Sequence, residues 1–145
     1  MNAILLSVIL VVGAPNTKEK PKDEPSIVGE WTLEKTIIGG RERPGKLEGA
    51  TFVFTAEGKY LGRRNGVDVK DSARDYKIDT KKDPPQIDLS TGVPGVPMVP
   101  GIYKIEEDTL TICYNAGDGT RPTAFESTKG SRLAMTVYKR IKKKD

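Results

Sequence analysis

The sequence predicts an all-β domain, an eight-stranded antiparallel up-and-down barrel. Three observations carry the prediction: short stretches of apolar alternation with period two, turn residues between them, and no window of ten or more residues with a helical apolar stripe. Side chains of a strand point to opposite faces in turn, so such alternation marks a strand with one buried face. Eight stretches fall near 28–37, 50–55, 59–64, 67–78, 85–90, 101–106, 109–114 and 132–140. Closing eight strands into a barrel removes the edges an open sheet would expose. A two-sheet β-sandwich is the alternative that the same pattern allows.

Taken in order, the stretches nominate an interior. The first supplies Trp31 and Leu33, the second Phe52 and Phe54. Glu57-Gly58 turns the chain into the third, and Asn65-Gly66 is a strong type I′ hairpin signal after it. The fourth and fifth supply Tyr76, Ile78, Ile87 and Leu89. Glu107-Asp108 joins the sixth tightly to the seventh, which supplies Leu110, Ile112 and Tyr114; the last adds Leu133, Met135 and Val137. An eight-stranded barrel is either just filled by side chains or holds one small ligand, and a set this bulky predicts a small cavity.

Outside the barrel domain, 27–141, the chain reads as three further segments. Residues 3–14 (AILLSVILVVGA) are apolar apart from one serine. Twelve residues of helix span about 18 Å against roughly 30 Å of hydrocarbon, too short to cross a membrane. Residues 1–14 therefore read as an export signal, with Val12 and Ala14 placed like the small residues before a cleavage site. No Lys or Arg precedes the run and Pro15 follows it, both departures from the usual signal pattern. Residues 15–26 (PNTKEKPKDEPS) carry three prolines and mixed charge, as a flexible linker does. Residues 142–145 form a basic tail. The expected location is periplasmic or extracellular, and the expected state a monomer.

Composition removes several function classes. The chain has no histidine, which excludes Ser-His-Asp and Cys-His catalysis and every His-based metal site. Its one cysteine, Cys113, forms no intramolecular bridge, and no basic neighbour lowers its pKa. Neither the acidic turn 106–108 nor the loop 115–119 has the oxygen-ligand spacing of an EF-hand, so no metal and no cofactor are expected. A net charge of +4 is modest for a nucleic-acid binder, and none is expected. No pair of acids stands apart from its turn, which leaves an uncharacterised hydrolase as the third choice and no catalytic residue to name.

Gly29-Glu30-Trp31 opens the first strand, and the chain ends its last with Tyr138-Lys139-Arg140. Gly-x-Trp at this place resembles the lipocalin signature. That resemblance implies a Trp plugging one end of the barrel under a basic residue of the last strand, here Lys139 or Arg140. The order continues through Thr51-Phe52, Tyr76-Lys77-Ile78-Asp79, Ile87-Asp88-Leu89 and Gly101-Ile102-Tyr103. It then runs through Thr109-Leu110-Thr111-Ile112-Cys113 to Arg121-Pro122-Thr123-Ala124-Phe125. Over 27–140 it is similar to an uncharacterised, exported, lipocalin-like bacterial domain family of planctomycete type. The family implies fold and export, and no activity.

The expected function is a binding module for a small apolar molecule, or for a protein or cell-envelope partner; the alternative is a filled barrel serving as an interaction domain. Ligand-contact candidates are Phe52, Phe54, Tyr76 and Tyr114 inside, with Val96 and Met98 from the repeat Val93-Pro94-Gly95-Val96-Pro97-Met98-Val99-Pro100. Polyproline II has three residues per turn, so Val93, Val96 and Val99 would line one edge of a lid, or of a plain stiff connector. Arg121 could grip a carboxylate or phosphate, or tie its loop to nearby carbonyls and an acid.

Overall fold

The computed structural model describes residues 25–44 and 49–142. The apolar run 3–14, most of the linker, the connection 45–48 and residues 143–145 lie outside them. Ten strands and no helix are present among the described residues: β1 (Gly29–Ile38), β2 (Arg41–Pro44), β3 (Ala50–Phe54), β4 (Lys59–Arg64), β5 (Val67–Asp68), β6 (Arg74–Asp79), β7 (Gln86–Leu89), β8 (Val99–Glu106), β9 (Thr109–Asn115) and β10 (Leu133–Arg140). Eight of them follow one another round a closed antiparallel barrel, β1-β3-β4-β6-β7-β8-β9-β10, and β10 pairs back onto β1. The barrel therefore has no open seam. The lipocalin-like architecture is the observed one, and the sandwich is not.

The two extra strands have simple causes. β1 is ten residues long, and its second edge is shared: 29–32 pair with β3, and 35–38 pair with β2. β2 reads RERP, whose charged residues hide any period-two pattern. The predicted stretch 67–78 is instead two strands. Asn65 and Gly66 have φ of 50° and 79°, both positive as a type I′ turn requires, and lead into β5. The chain then leaves β4 at Val69–Ser72, where the Ser72 hydroxyl donates to Val69 O and accepts from Gly62 N.

One end of the barrel is sealed by the first strand. Trp31 is fully buried, and its indole Nε1–H donates to Ile27 O at 2.9 Å. The Arg140 guanidinium lies across the ring, 4.1 Å from its centroid, and donates to Val28 O and Ser26 O. Register places Arg140 directly opposite Trp31, so it is Arg140 and not Lys139 that fills this role. Gly29 explains the first letter of the motif. Its φ is +146°, and a Cβ there would sit 2.7 Å from Arg140 Nη1.

Above this seal the core is packed from Ile27, Trp31, Phe54, Tyr76, Ile87, Tyr103, Leu110 and Ile112. Directly opposed residues of antiparallel neighbours share a face, which sorts every other position. Phe52 opposes Trp31, and Leu89 opposes Tyr76, so both point inward. Ile78 shares the inward face with Ile87 but lies at the strand end, 40% exposed.

The last strand departs from expectation. Leu110, Ile112 and Tyr114 oppose Tyr138, Thr136 and Ala134, so these three face the interior. Leu133, Met135 and Val137 face outward instead. Their apolar character has a cause: Met135 opposes Cys113, which opposes Ile102, and this outer patch is covered by the connection 116–132. Ile102, Cys113 and Pro122 are buried there, and Cys113 Sγ donates to Glu126 O at 3.4 Å. Both faces of β8–β10 are therefore buried locally, and period two cannot tell them apart. Phe125, on that connection, lies under the Lys104 ammonium, which is 4.9 Å from its ring centroid.

Candidate functional site

The barrel interior divides into two halves. Near Trp31, Phe54 stacks on Tyr60 (5.7 Å between centroids, 24°) and meets Tyr76 edge-on (5.2 Å, 80°). The Tyr76 hydroxyl donates to Thr55 O at 2.6 Å. Phe54 and Tyr76 are thus fully engaged in the packed half.

The other half begins at Phe52, which meets Tyr138 edge-on at 5.7 Å and 72°. Tyr60, Leu89, Tyr114 and Tyr138 are partly buried against the core here, among the small inward positions Gly62, Ala134 and Thr136. The Tyr60 hydroxyl donates to Ser90 O at 2.8 Å, at the base of the β7–β8 connection. Burial pushes the Tyr138 phenol up to about 12, with further upward contributions from Tyr114 and Tyr60 and a downward one from the Thr136 hydroxyl. Burial raises Tyr60 and Tyr114 as well, and the Arg74 charge partly offsets the rise at Tyr60. Three phenols therefore share one low-dielectric region, all protonated near neutral pH. They offer hydrogen bonds and no general base.

The connections at this end carry apolar side chains into solvent. Ile38 ends β1, Val67 and Val69 belong to the β4–β6 excursion, and Val93 and Val96 to the β7–β8 connection; Val67 is 69% and Val93 56% exposed. Met98 is half-buried where the chain enters β8. No helix among the described residues is long and apolar enough to cross a membrane.

Of the predicted contact residues, the structure brings Phe52 and Tyr114 into the upper half, with Val96 and Met98 on the connection at its mouth. Arg121 is elsewhere. It sits on the outer wall, donating from Nη1 to Gly101 O (2.7 Å) and Ile87 O (3.3 Å) and from Nη2 to Asp88 (2.7 Å). Its guanidinium clamps the 116–132 connection across β7 and β8. Sequence reasoning missed Tyr60 and Tyr138 as interior groups; the signal for Tyr60 was its alternation with Gly62, two residues on.

Other chemistry is sparse. An open depression of about 630 Å³ lies outside the barrel between Asn115, Asp118, Thr120, Arg132 and Leu133. Asp118 there is held below the usual carboxylate range by hydrogen bonds from Thr120 and Asn115, so it is an acceptor already in use. Burial pushes the Cys113 thiol up, away from reactivity. No group of three or more His, Cys, Asp or Glu side chains able to hold a metal occurs among the described residues. Compared with known proteins, the chain matches no family model, no curated protein and no solved structure.

Proposed function

We propose that this protein is an exported, non-catalytic binding module that takes one small, largely apolar molecule into the upper half of its barrel. The observation that supports this most is the asymmetry of the two ends. At one end Trp31 is fully buried beneath Arg140; away from it lie the half-buried Phe52, Tyr60, Tyr114 and Tyr138. Exposed apolar side chains on the connections at that end would suit an entrance for an apolar molecule, and apolar sites with a few polar handles are where small ligands bind. Resemblance of Gly29-x-Trp31 and the closing Arg140 to the lipocalin pattern agrees with this reading.

A second reading is favoured by one specific contact. The Phe52–Tyr138 ring pair lies in the same upper half and fills part of it, as a barrel that binds nothing inside would require. Titration with Nile red, an uncharged apolar dye, separates the two. Saturable binding at one site per chain, weakened by replacing Phe52 with a charged residue, supports the module; a flat titration on folded protein supports the filled barrel.

A further inference from the structure

Independently of the binding reading above, we infer that the end of the barrel opposite Trp31 docks on a lipid bilayer, with the turn 93–96 entering the interfacial layer and the basic residues around it on anionic head groups. The topology brings the relevant segments together. β1, β4 and β7 each run away from the sealed end, so their exits, 38–41, 64–73 and 90–98, share the opposite one. Each exit is a tight turn that bears exposed aliphatic side chains. Ile38 precedes Gly39-Gly40, Val67 and Val69 follow Asn65-Gly66, and Val93 and Val96 flank Pro94-Gly95. Tips carried by three separate turns need no complementary shape in their partner, which suits a fluid lipid surface.

The third turn is the easiest to dehydrate. Residues 89–103 hold no charged side chain, in a chain that is 30% charged. Val96 N donates to Val93 O at 3.2 Å across Pro94 and a Gly95 with φ of +81°, the pattern of a type II turn. Gly92 N and Val93 N donate to the Ser90 and Thr91 hydroxyls at 3.1 and 3.2 Å, and Pro94 and Pro97 have no N–H. Within 92–97 only Gly95 therefore has an N–H without a partner among the described residues. Unsatisfied backbone donors, which would lose their water there, are what keep most loops out of lipid. Val93 and Val96 are 56% and 48% exposed, so their apolar surface is available for burial against acyl chains.

The turn is also anchored at its base. Ser90 N donates to Asp75 O, the Tyr60 hydroxyl donates to Ser90 O, and the Arg74 side chain packs on Gly92, where a Cβ would fall 2.1 Å from Arg74 Nε. A segment already fixed in this way loses little freedom when it inserts. Charge around it has the matching sign. Arg41, Arg43, Arg64, Lys70 and Arg74 stand on or beside the neighbouring exits against Glu42, Asp68 and Asp71, and Asp68 is paired with Arg63. In the connection 45–48, outside the described residues, Lys46 and Glu48 cancel. On 116–132, Lys129 and Arg132 offset Asp118 and Glu126, while Arg121 is paired with Asp88. The excess at this end is cationic, and basic residues close to an anionic leaflet add to binding in a way that salt screens.

The test uses the full chain carrying Val96→Trp and, in a second protein, Ile141→Trp beside the sealed end. Each is mixed with vesicles of phosphatidylethanolamine and phosphatidylglycerol brominated in the upper part of their acyl chains. The tryptophan introduced at 96 should lose about half its emission, and the one at 141 should not. Val93→Asp in the Val96→Trp protein should abolish the quenching, and Val93→Ser should weaken it; the position is exposed, so both should fold. With brominated phosphatidylcholine alone the quenching should be weaker, and equal quenching overturns the assignment of the basic residues to anionic head groups. Quenching at 141 in place of 96 would put the chain termini on the lipid, and so overturn the inference. Quenching at 96 that disappears on Phe52→Asp would mean a lipid inside the barrel, which overturns docking while supporting the binding module. No quenching at either position, on protein folded by circular dichroism, overturns docking and leaves the binding module untouched.

Discussion

Arg140 lies flat over the indole of Trp31, 4.1 Å from its centroid, and reaches past it to the carbonyls of Val28 and Ser26. One side chain thus ties the last strand to the ring, to the residues before β1, and through them to Ile27, whose carbonyl accepts the indole N–H. Trp31→Ala should cost about 3–5 kcal/mol, as large aromatic truncations in a core do. Arg140→Ala should cost on the order of 0.5–2 kcal/mol, since the cation–π contact is partly exposed. Urea denaturation measures both, and a Trp31→Ala protein as stable as the parent contradicts the sealing role.

Gly29 makes a sharper test of the same joint. Alanine there adds a methyl 2.7 Å from Arg140 Nη1 and asks an L-residue to hold φ of +146°. Gly29→Ala should therefore destabilise by roughly 1–3 kcal/mol. In the Arg140→Ala background the clash vanishes and only the backbone strain remains, so the double mutant should lose less than the sum of the singles.

The phenols make stability fall at high pH. Tyr138 has its pKa raised from 10 to about 12 in the folded protein, and Tyr60, Tyr76 and Tyr114 are raised too. A raised folded pKa means the native state holds its proton more tightly, so the stabilisation is complete below about pH 10 and is lost as pH climbs toward 12. The rise at Tyr138 corresponds to about 3 kcal/mol at most. Tyr138→Phe keeps the ring contact with Phe52 and should flatten this alkaline loss. An unchanged alkaline limb in denaturation against pH would show that the phenol is not buried as described.

Arg121 and Cys113 report on the outer strap. Replacing Arg121 with Ala removes three donated bonds to β7 and β8 and should loosen residues 116–132 without unfolding the barrel. The Cys113 thiol, buried beneath Glu126, should then react with Ellman's reagent about tenfold faster than in the parent. If the rate is unchanged, the strap does not depend on this clamp.

Export has its own measurement. Cell fractionation with N-terminal sequencing should recover a mature chain that begins near residue 15 from outside the cytoplasm. Recovery from the cytoplasm with residues 3–14 intact would contradict export.

Much of the barrel was legible because each short strand buries one face and each turn carries its own chemistry. Asn65-Gly66 announced a hairpin through two positive φ values, and Trp31 announced its partner through the position of Arg140 at the chain's far end. What stayed hidden depends on register or on cover by a connection. The apolar alternation of Leu133, Met135 and Val137 reads as interior; the connection 116–132, which leads directly into their strand, folds back over this face and makes a second, outer core. β2 was invisible because a strand built of Arg, Glu, Arg and Pro has no apolar face to count.

The most direct test of a ligand site in the upper barrel is an NMR titration of the isotopically labelled protein with Nile red. A ligand held there predicts saturable shifts at Phe52, Tyr60, Tyr114 and Tyr138 and at the methyl groups of Val93 and Val96, with Trp31, Ile87 and Leu110 unmoved. Shifts confined to the outer wall around Arg121 and Asp118, or none at all on the folded chain, would contradict it.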